Sequence, residues 1–244
     1  MIDSVRLLDL LDAQRARLAE AADAHLDRPV PTCEGWNVAD LCAHTAAVFA
    51  FVEATRASGQ ADAPVRGPAP DPDDAVVAAL REAGDAVSSG LRASDPTDPI
   101  WSWTDDRTVG FWSRRLAFEA TIHRVDGDLA AGVEPTPIDA DLAADGIDEW
   151  MTTYALPDGR GPQNPIDDGA SVHLHCTDTD GEWMLRWSDG AATLTREHGK
   201  GDVAARGPAW ELLLACYGRL DATAAPSVEI FGDADLLTAA IGGA

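Results

Sequence analysis

The stretch Pro31-Thr32-Cys33-Glu34-Gly35-Trp36-Asn37-Val38-Ala39-Asp40-Leu41-Cys42-Ala43-His44 ends one helix and begins another. Pro31 and Gly35 punctuate the chain. Asn37 then supplies a side-chain oxygen that can accept from the free N–H groups of a first helical turn. From Asn37 a helix is expected to run to about Ala57. Upstream, residues 4–25 place Val5, Leu8, Leu11 and Leu18 near one face, which predicts an amphipathic helix. Downstream, Gly59 to Pro72 is rich in Pro, Gly and Ala and reads as a loop. Asp73 to Arg92 is a third helix, closed by Asp95-Pro96-Thr97-Asp98-Pro99, and Trp101 to Val109 is a connector. A fourth helix runs from about Phe111 to Ala131. Four long helices with no strand pattern between them predict a four-helix bundle over residues 1–133.

Beyond Gly132-Val133-Glu134-Pro135-Thr136-Pro137 the pattern changes, so residues 134–244 are expected to form a smaller α+β domain. A helix is expected from Ile138 to Tyr154, followed by a loop with Pro157, Gly159, Gly161, Pro162 and Pro165. Val172 to Cys176, Trp183 to Trp187 and Ala192 to Arg196 read as three strands of an antiparallel meander with tight turns. Pro208 to Leu220 is a helix, Val228 to Phe231 a strand and Ala234 to Ile241 a last helix.

Composition narrows the function. With 45 % hydrophobic and 25 % charged residues the chain has enough apolar side chain to offset the entropy of ordering. The net charge is −24, and both halves are acidic, so nucleic acid and anionic membrane surfaces are not expected partners. No apolar run approaches the ~18 residues of a membrane span, and the acidic start is no signal peptide. A cytoplasmic protein is expected. The four cysteines (Cys33, Cys42, Cys176, Cys216) form no C-x-x-C pair and read as reduced thiols or core residues.

The most informative spacing is Glu119-x-x-x-His123, which puts both side chains on one helix face within reach of one metal ion. His44, on the inward face of the second helix, is the best third ligand. Two histidines and a glutamate with an open position form the ligand set of catalytic zinc, although nickel, iron or cobalt suits it too. An ion pair and a core histidine account for the same spacing without a metal. Asp126 reads as a hydrogen-bond partner of a ligand histidine or, preferentially, as a surface partner of Arg124 or Arg115. His173-x-His175 shares one strand face, but no third ligand is evident nearby, which favours a structural pair. Trp101, Trp103, Phe111 and Trp112 are expected to pack one end of the bundle. Gly199-Lys200-Gly201 lacks the glycine and hydroxyl of a phosphate loop, and no dinucleotide fingerprint or nucleophile elbow occurs.

The stretch Pro31 to His44 resembles the "PTCPGWTVxDLxxH" signature of the mycothiol-dependent maleylpyruvate isomerase family. Arg114-Arg115-Leu116-Ala117-Phe118-Glu119-Ala120-Thr121-Ile122-His123-Arg124-Val125-Asp126 is similar to its "E-x-x-x-H-R-x-D" helix, and Gly207-Pro208-Ala209-Trp210, Gly218-Arg219 and Gly232-Asp233 also fit. Glu34 departs from the usual proline and Thr45 from a common apolar residue; neither removes a ligand. The resemblance implies a DinB-like bundle followed by an α/β domain, and zinc on His44, Glu119 and His123. It implies mycothiol as cosubstrate or cofactor, with a small electrophile as substrate. A thiol on zinc loses its proton at neutral pH. Its thiolate can isomerise an electron-poor cis alkene by addition, rotation and expulsion, or give an S-conjugate by displacing a leaving group. A zinc hydrolase and a non-catalytic binding protein are the alternatives. Arg219, at the end of a helix in a half with only six bases, is the expected catalytic clamp for a substrate carboxylate. Its alternative is to neutralise its own helix terminus.

Overall fold

The computed structural model describes residues 2–59, 66–73, 75–156 and 166–241, which form two compact units, Met1–Pro135 and Thr136–Ala244. Residues 60–65 of the expected loop after Gly59, and Pro157 to Pro165, lie outside the described residues.

The first unit is built from α1 (Ser4–Ala22), α2 (Val38–Ser58), α3 (Val76–Arg92) and α4 (Val109–Ala131). Asn37 caps α2 as expected: its side chain accepts from Asp40 N at 2.9 Å, and Asp40 Oδ2 accepts from Asn37 N at 3.0 Å. That reciprocal box satisfies two amide donors and fixes where α2 begins. Before it, Val30 N donates to Trp36 O at 2.9 Å and Trp36 N to Cys33 O at 3.0 Å, closing Pro31 to Trp36 into a tight loop. Gly35 sits at φ +80°, a conformation that strains residues with a Cβ. The apolar face of α1 is Leu7, Leu8, Leu11 and Leu18. Val5, expected on that face, is exposed, although Leu7 and Leu8 in the same turn are buried.

By length and composition alone α2 is apolar enough to pass for a membrane span, a feature the sequence reading did not single out. Its most apolar window averages 1.3 in hydropathy, and 56 % of that window is buried inside the protein. The apolarity is spent on packing, since α2 contacts α1, α3 and α4. Trp103, Phe111 and Trp112 pack edge to face at 5.3 Å with Phe51 beside them, and Trp112 Nε1 donates to the Trp101 carbonyl.

The second unit opens with α5 (Ala140–Trp150) and a π-helical turn, Met151–Ala155. A five-stranded sheet follows, with β1 (Ser171–Cys176), β2 (Glu182–Ser188), β3 (Ala191–Thr195), β4 (Val203–Gly207) and β5 (Glu229–Gly232) in the order β3-β2-β1-β4-β5. The expected meander is its first half. β4 was not expected from the sequence: Val-Ala-Ala-Arg-Gly has little β-propensity and no alternation. It exists because it pairs in parallel with β1, Val172 to Val203 through Cys176 to Gly207. Between β4 and β5 lies α6 (Ala209–Cys216), and α7 (Ala234–Ala240) ends the described chain. Both helices contact β1 and β4. Val172, Leu174 and Cys176 form one buried face of β1, which leaves His173 and His175 on the other.

Candidate metal centre

His44 stands two turns into α2, where the Asn37 cap sets its rotation. Glu119 and His123 share a stripe of α4 with Arg115 and Asp126. Glu119 Oε1 lies 3.3 Å from His44 Nε2 and 3.2 Å from His123 Nε2. The three donor groups lie within 4.8 Å of one another. The imidazoles meet edge to face at 5.1 Å between centroids. Each of the three side chains is braced from behind. Arg115 Nη2 donates to the other Glu119 oxygen at 2.7 Å, and Trp36 packs on the His44 ring at 5.0 Å. Asp126 Oδ2 sits 2.9 Å from His123 Nδ1, which donates to it and so aims Nε2 toward Glu119 and His44. Asp126 in turn accepts from Thr32 Oγ1 at 2.5 Å, with Cys33 Sγ at 3.8 Å, so the Pro31 to Trp36 loop is tied to α4.

Asp126 is therefore wholly buried behind a candidate ligand, not on the helix surface. Arg124 turns the other way, donating to Gln14 at 2.7 Å and Asp128 at 2.8 Å.

The electrostatics suit a cation. Burial opposes ionisation of Glu119, yet His123, His44 and Arg115 hold it well below the usual carboxylate range. Burial also opposes charge on His123, but Glu119 and Asp126 outweigh it and raise the imidazole to about 9. A divalent cation between the three groups would replace that proton and satisfy the same carboxylate. Two imidazole nitrogens and one carboxylate oxygen fit zinc and its transition-metal neighbours better than calcium or magnesium. The His44 side chain is 32 % exposed, so the site opens to solvent on that side.

A family profile described as the mycothiol maleylpyruvate isomerase N-terminal domain matches residues 7–127, and one described as the MDMPI C-terminal domain matches residues 141–239. The chain belongs to the mycothiol-dependent maleylpyruvate isomerase family. Its fold is similar to a crystal structure of the mycothiol-dependent maleylpyruvate isomerase, with TM-score 0.64 and 14 % identity over 94 % of this chain and 93 % of that one. A histidine-to-alanine mutant of that enzyme is similar at TM-score 0.62 and the same identity and coverage. No curated protein matches the chain. Membership of the maleylpyruvate isomerase family and its fold supports an enzyme.

Of the other residues singled out from sequence, Arg219 lies in the second unit just past α6, half-buried. Its Nη1 donates to the Tyr217 carbonyl at 2.6 Å, a contact with its own helix terminus. The four cysteines are free thiols. Cys42 is buried and its thiol pushed up to about 12 by burial, which makes it a poor nucleophile. The sequence missed the bracing roles of Arg115, Trp36 and Thr32. The Arg115 to Glu119 spacing of four was a readable signal; Thr32 and Trp36 reach the site only through loop closure. It also missed partners for His173 and His175. Glu182 and His198 stand beside them in the second unit.

Proposed function

We propose that this chain is a metal-dependent enzyme that uses a low-molecular-weight thiol, mycothiol, as cosubstrate or cofactor on a small electrophile. The reaction is a maleylpyruvate isomerase-like cis-trans isomerisation or a thiol S-transfer. The observation that carries this reading is the convergence of His44, Glu119 and His123, with His123 Nδ1 held by Asp126. When bound there, a zinc-class ion with an open position lowers the pKa of an incoming thiol so that the thiolate is present at neutral pH. The chain's own residues hold the geometry. Arg115 keeps Glu119 ionised and oriented, Asp126 fixes the His123 tautomer, and Trp36 covers one face of His44. Thr32 secures Asp126 from the loop side.

Turnover of an electrophile by the metal-loaded protein is expected to require added thiol and to survive Cys33→Ser and Cys42→Ser. Steady-state assays with and without mycothiol check this. Full turnover without thiol would favour a hydrolase using metal-activated water. Loss of turnover in a folded, metal-replete Cys33→Ser variant would point to a protein nucleophile.

The same reading gives Arg219 a substrate carboxylate to bind in bidentate fashion. Its competing role is the Tyr217 carbonyl, a helix-terminus contact worth about 0.3–1 kcal/mol. Arg219→Lys keeps the charge but loses the fork, so kcat/KM on a carboxylate substrate is expected to fall about tenfold or more with Tm unchanged. Wild-type kcat/KM in both Arg219→Lys and Arg219→Ala would leave only the helix terminus.

A further inference from the structure

The chain has six histidines, and five of them fall into two clusters. The second cluster lies in the unit Thr136–Ala244 and is assembled by sheet register. His173 and His175 are two residues apart on β1 and share its face away from α6. Glu182 on β2 is directly opposite His175, so its carboxylate emerges on the same face. The segment between β3 and β4 then returns over this face and brings His198. Its close approach depends on Gly201, where a Cβ would stand 2.6 Å from the Val203 carbonyl oxygen and 3.2 Å from His173 N.

The four side chains point at one another. Glu182 Oε1 lies 2.5 Å from His175 Nδ1, and its Oε2 lies 3.1 Å from His198 Nδ1 and 3.7 Å from His173 Nε2. The three imidazole rings are mutually edge-on at 5.5–6.1 Å. One donor atom from each residue lies within 4.8 Å of the others. His173 is decisive. Its side chain is only 5 % exposed, and its Nε2 is buried without a hydrogen-bond partner while aimed into the cluster. Buried polar atoms of this kind are rare in native proteins and ask for a ligand.

We propose that His173, His175, Glu182 and His198 form a second transition-metal site, selective for zinc-class ions, separate from the site in the helical bundle. Three imidazoles and one carboxylate suit zinc, copper or nickel and not the all-oxygen shells of calcium or magnesium. Four protein ligands close a tetrahedral shell, which is the pattern of a structural zinc. Donors about 2.0–2.1 Å from such an ion stand roughly 3.3 Å apart, so the pairs spread toward 4.8 Å must close and the 2.5 Å Glu182–His175 pair must open. His198, 79 % exposed on its loop, is the member placed to admit the ion and swing in. Binding would staple the β3–β4 segment to the sheet.

The test uses full-length protein without a histidine tag, in a His44→Ala/Glu119→Gln background that disables the bundle site. Zinc is titrated against a chromophoric chelator, with magnesium and calcium as controls. One tight equivalent of zinc is expected, with none of either control ion. Adding His175→Ala or the exposed His198→Ala should weaken it about 100-fold or more. Cobalt substitution should give the intense visible bands of a tetrahedral centre, lost in the same variants. A folded background protein that binds no tight zinc would overturn the proposal. So would zinc binding unchanged by both His175→Ala and His198→Ala.

Discussion

Alanine in place of His44, Glu119 or His123 is expected to strip the bundle of its metal and lower kcat/KM by about a thousandfold or more, while the fold survives. Two remaining ligands hold zinc poorly, and no other side chain in the stripe is placed to substitute. Arg115 is a cation, and Asp126 is turned toward His123 Nδ1 on the far side of the ring. The effect should be graded by distance from the ion. Asp126→Ala leaves all three ligands in place but frees the His123 tautomer and unties Thr32, so metal affinity is expected to fall about 10–100-fold. Elemental analysis on a His198→Ala background, which discounts zinc held by the second unit, gives the count. Wild-type metal content in all three alanine variants would refute the site.

The sequence carried the bundle, and the convergence of His44, Glu119 and His123, unusually far, for local reasons. Pro31, Gly35 and Asn37 announce a break and a cap within seven residues, and Glu119-x-x-x-His123 is a helical neighbour relation that needs no tertiary knowledge. What stayed hidden depends on pairing between distant segments. β4 reads as an unremarkable Ala-rich stretch because β1 supplies its strand character. His173 and His175 looked like an isolated pair because the partner residues arrive by register and by a loop. Glu182 was within reach of inference, since a tight turn between β1 and β2 places it opposite His175. His198 was not, because nothing in Thr195 to Gly201 fixes where that loop returns. Asp126 was misjudged for a different reason. A carboxylate beside two arginines looks like a surface ion pair, and only the near-complete burial of α4 rules that out.

That burial leads to the last expected result, which concerns stability and not catalysis. α4 is enclosed on nearly every side, so it carries two polar stripes: Arg115, Glu119, His123 and Asp126 at the candidate metal site, and Arg124 with Asp128 toward α1. Arg124 is wholly buried, its Nε donating to Gln14 Oε1 on α1 and its Nη1 to Asp128 Oδ2. Burial pulls the guanidinium below its usual range and Asp128 restores part of the difference, yet it stays charged at any physiological pH. Arg124→Met keeps much of the volume but takes from the buried Asp128 carboxylate its 2.8 Å partner, leaving Arg17 at 3.5 Å, and takes from the Gln14 amide oxygen the Arg124 donor. Removing one member of such a buried pair costs about 3–5 kcal/mol, whereas replacing both with apolar groups is often close to neutral. Urea unfolding followed by tryptophan fluorescence should therefore show a large loss for Arg124→Met and a substantial recovery in Arg124→Met/Asp128→Leu. A loss below about 1 kcal/mol for the single variant would mean that water or a neighbouring base reaches Asp128. In either case any metal affinity of the candidate ligands His44, Glu119 and His123 should persist, since the bonds of Arg124 to Gln14 and Asp128 lead away from them.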